Sequence, residues 1–293
     1  MSATRGPGDS GDRSGQGGRE RSIEAWSWTA GIDVGSTYTK AVVLRSDGEI
    51  AGRAMEPTGF RLAEVAERVL ESALFQADIR RDDVGYVIAT GFGRHQVTVA
   101  DLQVTDLTAA ARGATFFFPG TRTVLDIGGQ TMKASRLGED RKVKSFRLND
   151  KCAAGTGAFL EKTARYMGYR TEEIGPLVAT SKEAIPISGV CAVFAESEVI
   201  NHLSQGVAPA DIMHGAIVSL VSRSVQLMKR VRMEPEFTLI GGILRFERLA
   251  EVVKLQLASA VNVPAGDLVQ YASALGAAVL ARQRVRQAAA GAA

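Results

Sequence analysis

A short segment of the sequence occurs twice, and this repeat limits the possible folds more than any other feature of the chain. Residues 33–40 are Asp-Val-Gly-Ser-Thr-Tyr-Thr-Lys, and residues 126–133 are Asp-Ile-Gly-Gly-Gln-Thr-Met-Lys. Each copy follows an apolar strand and leads into another strand, which is the pattern of a β-hairpin. We call residues 33–40 the first hairpin and residues 126–133 the second hairpin. Two matching hairpins in one chain predict a fold made of two related halves.

The turn of each hairpin has a composition suited to phosphate. Glycine in the turn lets backbone N–H groups approach phosphate oxygens, and small polar side chains add hydrogen-bond donors. The candidate phosphate-binding residues are Gly35, Ser36, Thr37, Gly128, Gly129 and Gln130. Asp33 and Asp126 end the preceding strands, where a carboxylate can hold hydrated Mg²⁺ and position an attacking water. One such turn would be an ordinary hairpin, whereas two predict a triphosphate clamp with Asp33 and Asp126 as its catalytic residues.

A third glycine turn lies further along the chain. The apolar segment 237–240 is followed by Gly241 and Gly242, a turn whose backbone can lie flat against a base or ribose. Alone it would equally be a strand-to-helix turn, but after two phosphate hairpins it is the predicted adenosine site. The sequence has no P-loop, because the pattern Gly-x-x-x-x-Gly-Lys-Ser/Thr does not occur. It also has no dinucleotide-binding fingerprint, because the segment 91–93, Gly-Phe-Gly, lacks the third glycine.

Strands mixed with helices predict an α/β fold. With the repeated hairpins, we expect the two-lobed actin-like ATPase architecture, a duplicated ribonuclease H-like fold. The Gly-, Ser-, Arg- and Asp-rich residues 1–27 are predicted to be a disordered tail. We place the first lobe at residues 28–119, with the first hairpin. The second lobe, residues 120–293, holds the second hairpin, both cysteines and the adenosine turn, and a short strand is predicted near Val269.

The charge and hydropathy of the chain exclude several classes of partner. The net charge is only +3 and the basic residues are scattered, so no nucleic-acid partner is expected. No apolar run is long enough to cross a bilayer, so no membrane association is expected. Because residues 1–25 lack the apolar core of a secretory signal, we expect a cytoplasmic protein.

The two cysteines, Cys152 and Cys191, each precede a predicted helix. Helix N-termini stabilise thiolates, which soft metals and iron–sulfur clusters require. Two thiolates cannot complete a four-cysteine site, whereas a symmetric dimer would supply four. Spacing alone favours the alternative that both are small buried hydrophobic residues. His95, His202 and His214 form no motif with either cysteine, so zinc is not expected.

Four segments resemble the ATPase and activator family of benzoyl-CoA reductases and 2-hydroxyacyl-CoA dehydratases. They are residues 31–37, 125–130, 149–157 and 191–199. The resemblance implies a [4Fe-4S] cluster shared between two subunits, with Cys152 and Cys191 as this chain's ligands. It also implies that hydrolysis of ATP, with Mg²⁺, drives a single electron from reduced ferredoxin to partner subunits that bind an acyl-CoA.

Residues 104–120 and 206–233 resemble the smaller (delta) ATPase subunit of ATP-dependent benzoyl-CoA reductase. The predicted function is therefore the electron-activation subunit of that reductase, in dearomatisation during anaerobic aromatic degradation, paired with a related ATPase subunit. The alternative within the family is the activator ATPase of a 2-hydroxyacyl-CoA dehydratase. A small-molecule kinase, or a filament or chaperone module, of the same fold would lack the cluster.

Some positions depart from the family pattern, and four charged residues have more than one possible role. Thr131 stands where many members have an acidic residue, and the segment 244–246, Leu-Arg-Phe, stands where many have Ala-x-Asn. Lys40 and Lys133 lie on hairpin strands and could contact phosphate, but lysine on such a strand is usually solvated, and we expect that here. Glu196 and Glu198 could serve the nucleotide or face solvent on a helix, and we expect the latter.

Overall fold

The computed structural model describes residues 27–149, 156–188 and 192–292. The predicted tail, apart from residue 27, and both cysteines lie outside the described residues. The chain forms two five-stranded sheets, each covered by helices on both faces.

The first sheet has the strand order β3-β2-β1-β4-β5. Its strands are β1 (Trp28–Val34), β2 (Tyr38–Arg45), β3 (Ile50–Pro57), β4 (Val84–Gly91) and β5 (Leu102–Gln103). Strand β1 runs antiparallel to β2 and parallel to β4.

The second sheet repeats this arrangement strand for strand, with the order β8-β7-β6-β9-β10. Its strands are β6 (Thr123–Ile127), β7 (Met132–Leu137), β8 (Val143–Asn149), β9 (Phe237–Ile240) and β10 (Val261–Asn262). Strand β6 runs antiparallel to β7 and parallel to β9, so the predicted duplicated α/β fold is confirmed.

Eight α-helices lie in the described part of the chain. They are α1 (Leu62–Gln76), α2 (Asp106–Phe117), α3 (Gly157–Tyr166), α4 (Ile174–Ala179), α5 (Ala192–Ser204), α6 (Pro209–Arg230), α7 (Glu247–Leu257) and α8 (Leu268–Ala292). No helix among the described residues is long and apolar enough to cross a membrane.

Side chains of successive residues on a strand point to opposite faces of the sheet, so each sheet contributes to two cores. On β1, Ile32 and Val34 face helix α1, whereas Gly31 faces helix α8. On β6, Leu125 and Ile127 face the large core formed with α3, α6 and α7, whereas Val124 faces helix α2. Each sheet is therefore enclosed between two helical layers.

The two central helices are exchanged between the sheets. Helix α8 follows the second sheet in the chain but packs on the first, through residues such as Leu275. Helix α2 follows the first sheet but packs on the second, through Ala111 and Ala114. The helices touch backbone to backbone, since a Cβ on Gly113 or Gly276 would overlap a carbonyl of the other helix. The lobe limits predicted from the sequence stay a prediction. Each of the two helices lies on one side of the predicted limit at residue 119 and packs on the sheet from the other side.

The strand predicted near Val269 is wrong, because Val269 lies in the first turn of α8. The short strand is instead β10, which pairs with β9 in parallel. The segment beyond Leu268 is rich in alanine and buries residues on several sides against α2 and the first sheet, which favours a long helix. Helix α4 was not predicted.

Candidate functional site

The two hairpins have the same register and the same turn. Asp33 pairs with Lys40 across β1 and β2, and Asp126 pairs with Lys133 across β6 and β7. In the first turn the Gly35 N–H donates to the Tyr38 carbonyl at 3.2 Å. In the second turn the N–H of residue 128 donates to the carbonyl of residue 131 at 2.8 Å. The repeat seen in the sequence is thus a repeat in backbone geometry.

The equivalence extends to the fourth strand of each sheet, β4 and β9. Strands β4 and β9, which run parallel to β1 and β6, end at Gly91 (φ 88°) and just before Gly241 (φ 103°). A Cβ on Gly91 would lie 2.5 Å from Asp33 Oδ1, and a Cβ on Gly241 would lie 2.7 Å from Asp126 Oδ1. The sequence around Gly91 gave no usable motif, although its position after an apolar strand matches that of Gly241.

The hairpins face each other across one cavity of about 640 Å³. The two turns approach closely, since a Cβ on Gly129 would overlap Thr37 Oγ1. The cavity is within the size range of cofactor sites. Its lining includes every candidate residue of the hairpins and of the adenosine turn: Asp33, Gly35, Ser36, Thr37, Asp126, Gly128, Gly129, Gln130, Gly241 and Gly242. Residues from opposite ends of the described chain are therefore brought to one surface.

Both hairpin lysines point into this cavity, so the prediction that they are solvated is wrong. Lys40 Nζ lies 3.4 Å from Asp33 Oδ2, and its side chain is only 15% exposed. Lys133 Nζ lies 2.6 Å from Asp106 Oδ2 and 3.9 Å from Asp126 Oδ2. Asp106, in the first turn of α2, also lines the cavity and was not predicted from the sequence.

The charges in the cavity are unevenly balanced. Burial raises the pKa of the Asp126 carboxyl, and the attraction of Lys133 does not fully offset this effect. Burial also acts on Asp106, but the charge and hydrogen bond of Lys133 outweigh it and lower the pKa of that carboxyl. Burial disfavours the Lys133 ammonium, yet Asp126 and Asp106 together raise the pKa of Lys133. A cation or a proton would therefore stabilise the Asp126 carboxylate.

The pair Asp33 and Asp126 fits a hydrated Mg²⁺. No group of three or more His, Cys, Asp or Glu able to hold a metal directly occurs among residues 27–149, 156–188 and 192–292. Mg²⁺ keeps several of its waters and is held by one or two carboxylates plus phosphate oxygens, so two suffice. The raised pKa of Asp126 is the property expected of a carboxylate awaiting a counter-ion.

The end of the cavity beside Gly242 has an aromatic wall. Phe246 is buried, and the Arg245 guanidinium lies 5.0 Å from the centroid of its ring. Glu161 also lines this end, and burial raises the pKa of its carboxyl while Arg245 opposes the shift. These side chains can contact a planar ring. In the sequence, Arg245 and Phe246 stood out only as a departure from the family pattern, and Glu161 did not stand out at all.

The second hairpin is hydrogen-bonded directly to helix α3. The Gly157 N–H donates to the Gly128 carbonyl at 3.0 Å, and the Ala158 N–H donates to the Gly129 carbonyl at 2.7 Å. The first N–H groups of the helix are thus satisfied by the turn itself. A shift of this turn would move the N-terminus of α3, the helix that follows Cys152 in the sequence.

Helices α3 and α5 contact each other through charged side chains. Lys162 Nζ lies 2.7 Å from Glu196 Oε2, and the Tyr166 hydroxyl donates to the same oxygen at 3.2 Å. The Glu198 carboxylate accepts a hydrogen bond from the Ser188 N–H. Both glutamates are half-buried and make these contacts, so neither simply faces solvent. The roles of the cysteines stay predictions.

Two sheets of identical order, with paired hairpins facing one cavity between them, define an actin-like ATPase fold. The chain belongs to the BadF/BadG/BcrA/BcrD ATPase family, whose family model matches residues 30–281.

Proteins similar over nearly their whole length include both branches of this family. Component A of (R)-2-hydroxyglutaryl-CoA dehydratase from Acidaminococcus fermentans has a TM-score of 0.84 and 35% identity, covering 88% of this chain and 99% of that one. The activator of 2-hydroxyisocaproyl-CoA dehydratase from Clostridium difficile, with bound ADPNP, has a TM-score of 0.84 and 34% identity, covering 90% and 97%. A benzoyl-CoA reductase subunit from Thauera aromatica is 34% identical over 263 residues, which span 86% of this chain and 92% of that protein.

Proposed function

We propose that this chain binds and hydrolyses ATP in the cavity between the hairpins. We propose also that hydrolysis drives the transfer of a single electron to a partner enzyme that binds an acyl-CoA. Within this class, we propose the activator ATPase of a 2-hydroxyacyl-CoA dehydratase. The observation that carries the proposal is the pair of hairpins, each with an Asp–Lys pair, facing each other across one cavity. Similarity to an activator with bound ADPNP, along 90% of this chain, supports it.

Different residues of the cavity would bind different parts of the nucleotide. Backbone N–H groups and hydroxyls of the two turns would hold the phosphates, while Lys40 and Lys133 would neutralise their charge. Asp33 and Asp126 would hold Mg²⁺ and the attacking water between them. Phosphoryl transfer depends mainly on positioning and on charge neutralisation, which such an arrangement supplies. Gly241, Gly242 and the wall at Phe246 would receive the adenosine.

Cys152 and Cys191 are proposed as this chain's ligands to a [4Fe-4S] cluster shared with a second ATPase subunit. When bound, the cluster would supply single-electron transfer between reduced ferredoxin and the acyl-CoA-binding partner. The described residues offer a route by which nucleotide could affect this region. The second hairpin is bonded to the start of α3, and α3 is bonded to α5 through Lys162 and Glu196. Cys191 directly precedes α5.

The benzoyl-CoA reductase subunit predicted from the sequence is the second candidate. It is supported by the similarity to the reductase subunit from Thauera aromatica. The two candidates differ in their use of ATP. An activator hydrolyses ATP to start many turnovers of its partner, whereas a reductase subunit hydrolyses ATP with every electron that it transfers. The ratio of ATP hydrolysed to product formed, measured with the co-purified partner, separates them.

The test of the proposal uses anaerobically purified full-length protein. We expect ADPNP binding, ATP hydrolysis and iron bound by the dimer, and we expect Asp33→Asn to reduce kcat by about 100-fold or more. Asp140→Asn, an exposed carboxylate on the turn at the far end of β7, is the matched control and should hydrolyse ATP normally. A wild-type protein that neither binds ADPNP nor hydrolyses ATP would refute the ATPase proposal. Full iron content in Cys152→Ala would refute the cluster assignment.

A further inference from the structure

The backbone of each hairpin turn is anchored through its carbonyl groups by a segment outside the hairpin. In the second turn, the carbonyls of Gly128 and Gly129 accept hydrogen bonds from the first N–H groups of α3. In the first turn, the Gly35 carbonyl accepts from the Thr58 hydroxyl at 2.8 Å, and the Thr37 carbonyl accepts from the Thr58 N–H at 3.0 Å. A helix thus anchors one turn, and a single threonine anchors the other.

A carbonyl that is held in this way fixes the direction of the next N–H group. The peptide unit is planar and trans, so its C=O and N–H bonds point in opposite directions. The Gly35 carbonyl and the Ser36 N–H belong to one such unit, so the bond to Thr58 turns the Ser36 N–H away from Thr58. In the described part of the chain, the N–H groups of Ser36 and Thr37 donate to no backbone carbonyl, and both residues line the cavity. These N–H groups are therefore available to an anion.

The direction of the hydrogen bonds at Thr58 follows from its single hydroxyl proton. Thr58 follows the last residue of β3 and is buried, and its hydroxyl also lies 3.0 Å from the buried Thr39 hydroxyl. The Gly35 carbonyl can only accept, so the Thr58 proton goes to that carbonyl and Thr39 must donate to Thr58. A hydroxyl that accepts one hydrogen bond donates the next one more strongly. Thr39, Thr58 and the Gly35 carbonyl therefore form one hydrogen-bonded chain that ends on the turn.

The same carbonyl position is anchored in both turns, although the anchoring groups differ. Gly35 and Gly128 occupy equivalent positions, because each N–H donates to the carbonyl three residues later. The Gly35 carbonyl is bonded to a side chain after β3, whereas the Gly128 carbonyl is bonded to the N-terminus of α3. The feature that the two turns share is the orientation of the peptide unit, and this favours a role for Thr58 in the site beyond its contribution to stability.

We propose that Thr58 is a positioning residue of the nucleotide site, whose hydroxyl holds the Gly35 carbonyl so that the Ser36 N–H stays directed at a phosphate. The inference rests on the proposed ATPase function. Without the hydroxyl, this peptide unit is free to turn its carbonyl towards the phosphates, and two groups of negative charge would then repel each other. Valine has nearly the shape of threonine but no hydroxyl, whereas serine keeps the hydroxyl.

The test measures the affinities for ADPNP and for adenosine, and KM for ATP, in full-length protein carrying Thr58→Val or Thr58→Ser. In Thr58→Val we expect the Kd of ADPNP and the KM of ATP to rise about tenfold, the effect of one lost hydrogen bond. Adenosine has no phosphate, so it should keep its wild-type affinity. Thr58→Ser should recover most of the ADPNP affinity. A general loss of structure would weaken both ligands and would not be reversed by serine.

Thr29→Val is the matched control. Thr29 is a buried threonine at the start of β1, at the other end of the strand from the turn, and its hydroxyl donates to the Ala278 carbonyl at 3.2 Å. This variant should keep its ADPNP affinity. A double-mutant cycle checks the order of the chain: Thr39→Val should weaken ADPNP binding by only about twofold to threefold, and Thr39→Val/Thr58→Val should bind no more weakly than Thr58→Val.

The proposal is overturned by an unchanged ADPNP affinity in Thr58→Val, by an equal loss of adenosine binding, or by a Thr58→Ser variant as weak as Thr58→Val. If Thr58→Val does not fold, Thr39→Val decides, because it keeps the bond between Thr58 and Gly35: its ADPNP affinity must fall while its adenosine affinity stays. All these results are measured against a wild type that binds ADPNP. A wild type that binds no ADPNP refutes the proposed function itself, and this inference with it.

Discussion

The substitution Gly241→Ala tests how the end of β9 positions Asp126, the proposed catalytic carboxylate. Gly241 has φ 103° and ψ 156°, a conformation that is essentially restricted to glycine. An added Cβ would overlap the Ile127 carbonyl and lie 2.7 Å from Asp126 Oδ1. The Ile127 carbonyl can move only if β6 shifts, and Asp126 lies on the same strand. The added Cβ must therefore displace the Asp126 carboxylate.

The size of the effect follows from the backbone conformation and from the displacement of β6. The backbone conformation costs about 1–3 kcal/mol with a side chain present. With the displacement of β6 we expect a total near about 3 kcal/mol, which lowers Tm by about 6–12 °C in a chain of this size. A displacement of about 1 Å at a catalytic group reduces kcat by about 100-fold.

Gly206→Ala is the matched control. Gly206 also has a positive φ, 78°, but an added Cβ would meet nothing within 4 Å. We expect a loss of about 1 kcal/mol, a Tm lower by about 2–4 °C, and unchanged ATP hydrolysis. Thermal unfolding and steady-state ATPase assays on both variants measure these differences. If Gly241→Ala loses no more stability than Gly206→Ala and retains its kcat, the assigned role of this turn is wrong.

Two further predictions concern the same carboxylates. Gly91→Ala should reduce kcat by about as much as Gly241→Ala, because its Cβ would lie 2.5 Å from Asp33 Oδ1; ATPase activity near the wild-type level would contradict the equivalence of the two turns. Asp126→Asn should abolish hydrolysis yet raise Tm at neutral pH in Mg²⁺-free buffer, because burial raises the pKa of the Asp126 carboxyl and so disfavours its ionised form in the folded state. The gain in Tm should shrink as the pH falls through the raised pKa of the folded state and disappear below about 4, where the carboxyl becomes protonated in both states; a lower Tm at neutral pH would contradict it.

The hairpins could be predicted from the sequence because their chemistry is local. The spacing between Asp33 and Lys40 fixes a register, and the same spacing between Asp126 and Lys133 repeats it. The turn at Gly241 was found for the same reason, since an apolar strand followed by glycine is a local pattern. The tertiary structure then brings the three segments to one cavity.

The remaining site residues could not be predicted because their positions depend on packing between distant segments. A lysine on a strand is normally solvated, whereas Lys133 lies in the cavity beside the start of helix α2, which packs on the second sheet. Asp106 meets it through that packing, and nothing near position 106 in the sequence records the contact. The environment of the cysteines depends on segments outside the described residues, so their role still rests on resemblance.

The exchange of helices α2 and α8 has a consequence for how the two lobes hold together. Neither half of the sequence covers both faces of its own sheet, since each sheet is closed on one face by a helix that belongs to the other half. A chain cut near residue 119 would leave two fragments that each expose an apolar sheet face, so neither fragment would fold alone, although the two together could complement each other. We therefore expect the two halves of the chain to unfold together as one cooperative unit.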